Sequence, residues 1–385
     1  MMRLPYLLLI FLAATPTFGR EIAFPPISGY IPPLDHNRAQ QQILNGNDDG
    51  AGLFQEYTPF AGLTTFANLP FVHCLGEGEV ERYDIAILGA PFDTGTTARP
   101  GARFGPGGIR QGSRRISPDA AWSVYTGENT FLSWAKIVDC GDAPLTFLDN
   151  TIALKQLDYS HKKIVGRKAN STEYTTPRIL TLGGDHTTTL SALRSTFQAW
   201  GAVSVIHFDS HIDTWDPEVL GGGISHYAGV NHGTFLHIAH EEGLILNNSM
   251  HAGIRAPVIR KKGDIRNDLR CGFEMVTARE LDRIGTDGVI RKLKDRVAGT
   301  RAVYISVDID VLDPAYAPAT GTAEVGGWTT RELLTILDGL AGLPVIGADV
   351  VEVAPAYDNV GETTVLAAAE VAHSLLTLMV KQPVG

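Results

Sequence analysis

The sequence predicts an α/β fold, a doubly wound and mainly parallel sheet of about eight strands covered by helices. Three observations point to it. Short apolar, β-branched runs recur along the chain, with stretches of helical length between most of them. Several of these runs end in Asp and His, at the strand edge where open α/β sheets place their ligands. The chain has 385 residues, of which 44% are hydrophobic, which suits one large α/β domain with extensions.

The elements follow in order. Met1-Met2-Arg3 is a short basic start. Leu4–Ala14 is mostly apolar, and small residues lead to Gly19. This reads as a secretory signal peptide, residues 1–19, too short to span a bilayer. Residues 20–80 are rich in Pro and Gly and read as an irregular arm, with one short helix near Asn37–Leu44. Residues 81–385 form the main domain. Its strands are expected at Tyr83–Ala90, Lys136–Cys140, Arg178–Leu182, Ala202–Phe208, Met250–Ile254, Phe273–Thr277, Ala302–Val307 and Val345–Val353. Helices are expected at Thr187–Trp200, Arg279–Val297 with a glycine interruption, Thr330–Ala341 and Thr363–Val380, with a further helix opening near Pro106. Thr329 and Glu332 have the spacing of a capping box. No repeat, low-complexity tract or transmembrane span is read from the sequence.

Net charge is −10, from 32 Lys and Arg against 42 Asp and Glu, so nucleic acid is not an expected partner and a cationic ligand suits the chain. Cysteines are Cys74, Cys140 and Cys271. An odd count leaves one bridge plus a thiol, or three thiols, and no cysteine-based catalytic motif is present. The sequons at Asn170 and Asn247 are compatible with the secretory route.

Three strand ends carry the chemistry. Ala202–Phe208 runs into Asp209-Ser210-His211-Ile212-Asp213, Ala302–Val307 into Asp308-Ile309-Asp310, and Arg178–Leu182 into Gly183-Gly184-Asp185-His186. On a strand, alternate residues share a face, so Asp209, His211 and Asp213 would point the same way while the backbone stays extended. Buried acids at strand ends are costly unless compensated. A divalent cation compensates them, and donors of nitrogen and carboxylate oxygen without sulfur favour harder ions such as Mn²⁺ over structural zinc. Four carboxylates are too many for one ion, and two ions bridged by carboxylates fit better. His226 and His232, in a glycine-rich loop, are candidate proton carriers. Glu352, at the end of the last strand, could receive a cation. His207 shares the face of Asp209, either supporting a ligand or packed as a core residue.

In this order the three motifs resemble the signatures of the ureohydrolase (arginase/agmatinase) family, over roughly residues 80–380. The segment Pro91–Arg110 and Asn231-His232-Gly233-Thr234 look more like agmatinases than arginases, and similar leader-bearing agmatinase-like chains are known in fungi. The resemblance implies a three-layer α/β/α arginase-like fold and two Mn²⁺ per subunit. His186, Asp209, Asp213 and Asp308 would hold one ion, and Asp209, His211, Asp308 and Asp310 the other. His232 would shuttle protons, Glu352 would bind a small cationic guanidine, and Asp310 would help orient the reacting carbon. The implied reaction releases urea and an amine: from agmatine the amine is putrescine, within polyamine metabolism. Alternatives are a guanidinobutyrase or other guanidino-acid ureohydrolase, and a non-catalytic secreted metal-binding protein of this fold. The 214–231 loop has no Arg or Lys to meet a substrate carboxylate. A homo-oligomer, trimer or hexamer, and an extracellular, vacuolar or cell-wall location are also expected.

Overall fold

Eight parallel strands lie side by side in the computed structural model, which describes residues 60–225 and 227–384. The leader, the helix expected near Asn37–Leu44 and His226 lie outside the described residues. In chain order the elements are β1 (Ile85–Gly89), α1 (Gly105–Gly112), β2 (Ile137–Asp142), α2 (Asn150–Val165), β3 (Arg178–Leu182), α3 (Thr188–Trp200), β4 (Ser204–Phe208) and α4 (Phe235–Glu241). There follow β5 (Ser249–Ile254), α5 (Gly263–Arg270), β6 (Phe273–Thr277), α6 (Leu281–Arg296), β7 (Val303–Asp308), α7 (Thr330–Gly339), β8 (Val345–Val351) and α8 (Thr363–Lys381). The sheet order is β2-β1-β3-β8-β7-β4-β5-β6. Every ladder is parallel, so all carboxyl ends lie on one edge.

Both faces of the sheet are covered. In β1, Ile85 and Ile87 join one apolar cluster with α8, while Ala86 and Leu88 join another with α2. A strand buried on both faces reads as a continuous apolar run, which is why these strands are visible in the sequence. Helices α1, α6, α7 and α8 pack against one another, and α2, α3 and α4 do likewise.

The capping box forms: the Thr329 side chain accepts from Glu332 N, and Glu332 accepts from Thr329 N. In α6 the expected glycine interruption is a break at Gly285, where φ is +67°. Phe66, Leu69, Val72 and Cys74 are buried ahead of β1, and Cys74 is disulfide-bonded to Cys140 with Cα atoms 5.4 Å apart. Cys271 is a buried free thiol. One helix among the described residues, α8, is long and apolar enough to cross a membrane, but most of it is buried inside this fold. Its apolar residues sit in the largest core cluster, against β8, β3, α1 and α7.

Candidate metal centre

The site is built at the carboxyl ends of β3, β8, β7 and β4, four neighbours in the middle of the sheet. The chain after β3 turns at Gly183-Gly184, and a Cβ on Gly184 would stand 1.8 Å from Phe92 O. Only glycine permits that approach, and it brings His186 over the strand ends. After β4 the strand ends at Phe208, and Asp213 adopts φ +50°. The gathering of Asp209, His211 and Asp213 therefore comes from a bent loop, and the alternation expected from the sequence does not extend through these residues. Asp308 is the last residue of β7, and Asp310 lies on the 3-10 turn Ile309–Val311. Glu352 follows β8 with φ +61°. Non-glycine residues held at positive φ cost energy and cluster at functional sites.

His186 is fully buried, and its Nδ1 faces three carboxylate oxygens: Asp209 Oδ2 at 3.1 Å, Asp213 Oδ2 at 3.2 Å and Asp308 Oδ2 at 3.3 Å. His186 Nδ1 and Asp209 Oδ2 make no hydrogen bond. The tautomer of His186 follows from its other nitrogen. Nε2 lies 2.7 Å from Ser306 Oγ, and Ser306 donates its only proton to Asp349 Oδ1 at 2.6 Å. Ser306 must then accept from His186 Nε2–H, so in the neutral ring Nδ1 is the free donor atom. Asp349 is held in turn by the hydroxyls of Tyr304 and Thr189, each at 2.8 Å.

Beside this group, His211 Nδ1 lies 3.1 Å from Asp310 Oδ2 and 3.3 Å from Asp209 Oδ1. Two sets of donors result: His186, His207, Asp209 and Asp213 in one, and Asp209, His211 and Asp310 in the other. Asp209 belongs to both. Two of the acids also serve the backbone. Asp209 Oδ1 accepts from His211 N at 2.6 Å and Asp308 Oδ1 from Asp310 N at 2.8 Å, leaving each Oδ2 toward His186. Ser210, in the middle of the loop, donates to Asp310 Oδ1 through its hydroxyl at 2.8 Å.

The electrostatics are those of crowded negative charge. Burial, then the charges of Asp310 and Asp209, push Asp308 well above the ordinary carboxyl value. Burial and the Asp209 charge raise Asp213 to about 6. For His186, burial favours the neutral ring, but its three carboxylate neighbours outweigh that and raise it. Donor atoms at right angles around an ion bonded at about 2.1 Å lie about 3 Å apart. The unpaired lone pairs, their spacing and the excess of carboxylates therefore fit divalent cations.

Glu352 and His232 stand together next to this group. His232 Nδ1 lies 2.9 Å from Glu352 Oε1, which also accepts from His186 N at 2.9 Å. Glu352 Oε2 is buried and has no partner. Thr97 N donates to His232 Nε2 at 3.1 Å, and Thr97 Oγ1 lies 2.8 Å from the same atom. Burial works against a charged His232, but Glu352 outweighs it and raises the ring to about 9. A cavity of about 160 Å³ opens here, with Trp215, Leu220, Pro257 and Ile259 on its walls and His211, Asp213, Asp308 and His232 at its base. No Lys or Arg lines it among the described residues.

Every site residue expected from the sequence and described here converges on this point. Thr97, Ser306 and Asp349 escaped the sequence reading because their partners lie far along the chain. Arg110 and Arg103, on the loop after β1, bind Asp139 and Asp93 and serve the structure.

Residues 83–377 match the arginase family. The chain belongs to that family. A Schizosaccharomyces pombe protein named "Putative agmatinase 1" is 52% identical over 345 residues, covering 87% of this chain and 86% of the relative. The guanidinobutyrase of Pseudomonas aeruginosa is 35% identical, covering 85% and 93%. The solved structure of proclavaminate amidinohydrolase from Streptomyces clavuligerus superposes with a TM-score of 0.72 at 34% identity, covering 84% of this chain and 99% of that one. The eight-stranded parallel sheet with flanking helices is thus the arginase-like fold, and the chain is a ureohydrolase of that family.

Proposed function

We propose that the chain hydrolyses agmatine to putrescine and urea on a pair of Mn²⁺ ions. The observation that carries this reading is the unpaired cage: His186 Nδ1 against three carboxylate oxygens, with the buried, unpartnered Glu352 Oε2 close by. His186, Asp209, Asp213 and Asp308 would hold one ion. Asp209, His211, Asp308 and Asp310 would hold the other. The nitrogen and oxygen donors, with no sulfur, suit manganese. When bound, two such ions bring the pKa of a water toward neutrality and so supply a nucleophile.

The chain's own residues do the rest. Glu352 Oε2 accepts from the substrate guanidinium, a charge-assisted bond that fixes the planar group over the ligands. Asp310, held by Ser210, orients the attacked carbon. Water forms a C–O bond to that carbon and gives up its two protons, the C–N bond to the alkyl chain breaks, and the leaving nitrogen takes up two. His232, restrained through Nδ1 by Glu352, delivers one of these protons in its charged form.

The cavity wall favours an uncarboxylated chain. Trp215, Leu220, Pro257 and Ile259 offer apolar surface, and among the described residues no Lys or Arg lines it to meet a carboxylate. That places agmatine ahead of 4-guanidinobutyrate. Urea release by the Mn²⁺-loaded protein from agmatine, arginine and 4-guanidinobutyrate, beside a metal-stripped control, tests it. Selective and metal-dependent cleavage of agmatine is expected, and equal or faster cleavage of 4-guanidinobutyrate would overturn the choice of substrate.

We also infer a leader at residues 1–19, an arm to residue 80 and passage through the secretory pathway. The Cys74–Cys140 bridge supports an oxidising compartment. N-terminal sequencing of protein recovered from the culture medium should begin at Arg20, and a chain retained in the cytosol with Met1 intact would exclude the route.

A further inference from the structure

Behind Asp209 runs a line of buried groups that the reaction above does not use. His207 on β4 and His251 on β5 are register partners, and their Nδ1 atoms lie 2.8 Å apart. His251 Nε2 lies 2.9 Å from Asp268 Oδ1 on α5. Asp268 Oδ1 also accepts the Thr214 hydroxyl at 2.6 Å. At the other end, His207 Nε2 stands 3.1 Å from Asp209 Oδ2, and neither atom has a hydrogen-bond partner. His207, His251, Asp268 and Asp209 are all 0% exposed. The ring of Phe273 stacks on His251 at 4.1 Å.

Four groups leave three gaps: two are hydrogen bonds, and at the third His207 Nε2 and Asp209 Oδ2 face one another without one. Both ends are carboxylates, which only accept when ionised. Between the two Nδ1 atoms one ring donates and the other accepts, and His251 Nε2 is seated on Asp268 Oδ1. Asp268 Oδ1 is bonded by both Thr214 and His251, which fixes the far end of the line.

Given the two-ion reading above, on which this rests, we propose that Asp268 and His251 are positioning residues. Through His207 they hold the carboxylate of Asp209, the residue common to both donor sets. They touch neither substrate nor ion. Their effect would appear in the binding of the ions, because groups that orient a ligand typically change metal affinity 10–100-fold.

The test uses the purified full chain and Mn²⁺ alone, with affinity read by competition against a fluorescent chelator and stability read by melting the metal-free protein. His251→Phe keeps the stack on Phe273 but offers His207 no hydrogen-bonding nitrogen. His251→Gln restores a polar partner to His207. Asp268→Asn removes the charge at the end of the line. Mn²⁺ affinity should fall about 10–100-fold in His251→Phe and Asp268→Asn, and recover most of that loss in His251→Gln. Should Asp268→Asn fail to fold, the two His251 variants carry the test. Wild-type affinity in His251→Phe, even with a lowered melting temperature, would make the line purely structural and overturn the proposal. A wild-type chain that binds no Mn²⁺ would overturn the two-ion reading itself, and this inference with it.

Discussion

Two buried histidines differ in what their ring nitrogens face. His161 on α2 and His186 after β3 are both 0% exposed. His161 bonds Ser191 Oγ and Thr181 Oγ1, each at 3.0 Å, so both ring nitrogens are satisfied by neutral hydroxyls. Burial then outweighs a hydrogen bond to the Leu157 backbone and lowers its pKa to about 4. His186 is satisfied on one side only. Its other nitrogen is aimed at three acids and its pKa moves the opposite way. Burial does not distinguish the two. A ring nitrogen pointed at a cluster of carboxylate oxygens does.

The comparison can be broken at its strongest point first. Asp209→Asn removes the acid that both donor sets share. Urea release should fall by at least about 10³-fold, the several kcal/mol that bound ions supply, with metal content falling alongside it. Retention of both metal and turnover would separate the cage from the chemistry. His232→Asn should keep the metal and slow turnover about 10²–10⁴-fold. Unchanged turnover would remove the proton carrier from the reaction.

The smallest effect belongs to His161, and it concerns stability. Its folded pKa of about 4 lies below the unfolded value of about 6.5. Above pH 6.5 neither state takes up the proton. Between 6.5 and 4 the unfolded chain binds it first, so stability is lost as pH falls, by about 3 kcal/mol in total. Denaturant unfolding at pH 7 and pH 4.5 should show this slope, and His161→Gln should remove that share of it. An identical slope in the variant would mean that His161 is not held neutral.

The fold was legible because parallel strands buried on both faces are apolar throughout. Arg178–Leu182 and Phe273–Thr277 begin and end where the sequence places them. The ligand-type residues were legible because acids and histidines at the ends of such runs need a reason to be there. What escaped depends on contacts between distant segments. Cys74 meets Cys140 across 66 residues, and Ser306 meets Asp349 only through the pairing of β7 with β8. His207 read equally as core or as support for a ligand, since its partner His251 lies on the neighbouring strand. Helix α8 shows the converse. Its composition would serve a membrane, and its place against the sheet makes it a core helix.

The proposed cage, with Asp209 common to both sides, would hold two ions. Anomalous diffraction from crystals grown with Mn²⁺ tests it most directly. The account predicts two peaks about 3.5–4 Å apart, one beside His186 and Asp213, the other beside His211 and Asp310, with Asp209 reaching both. A single peak, or peaks away from these residues, would contradict it.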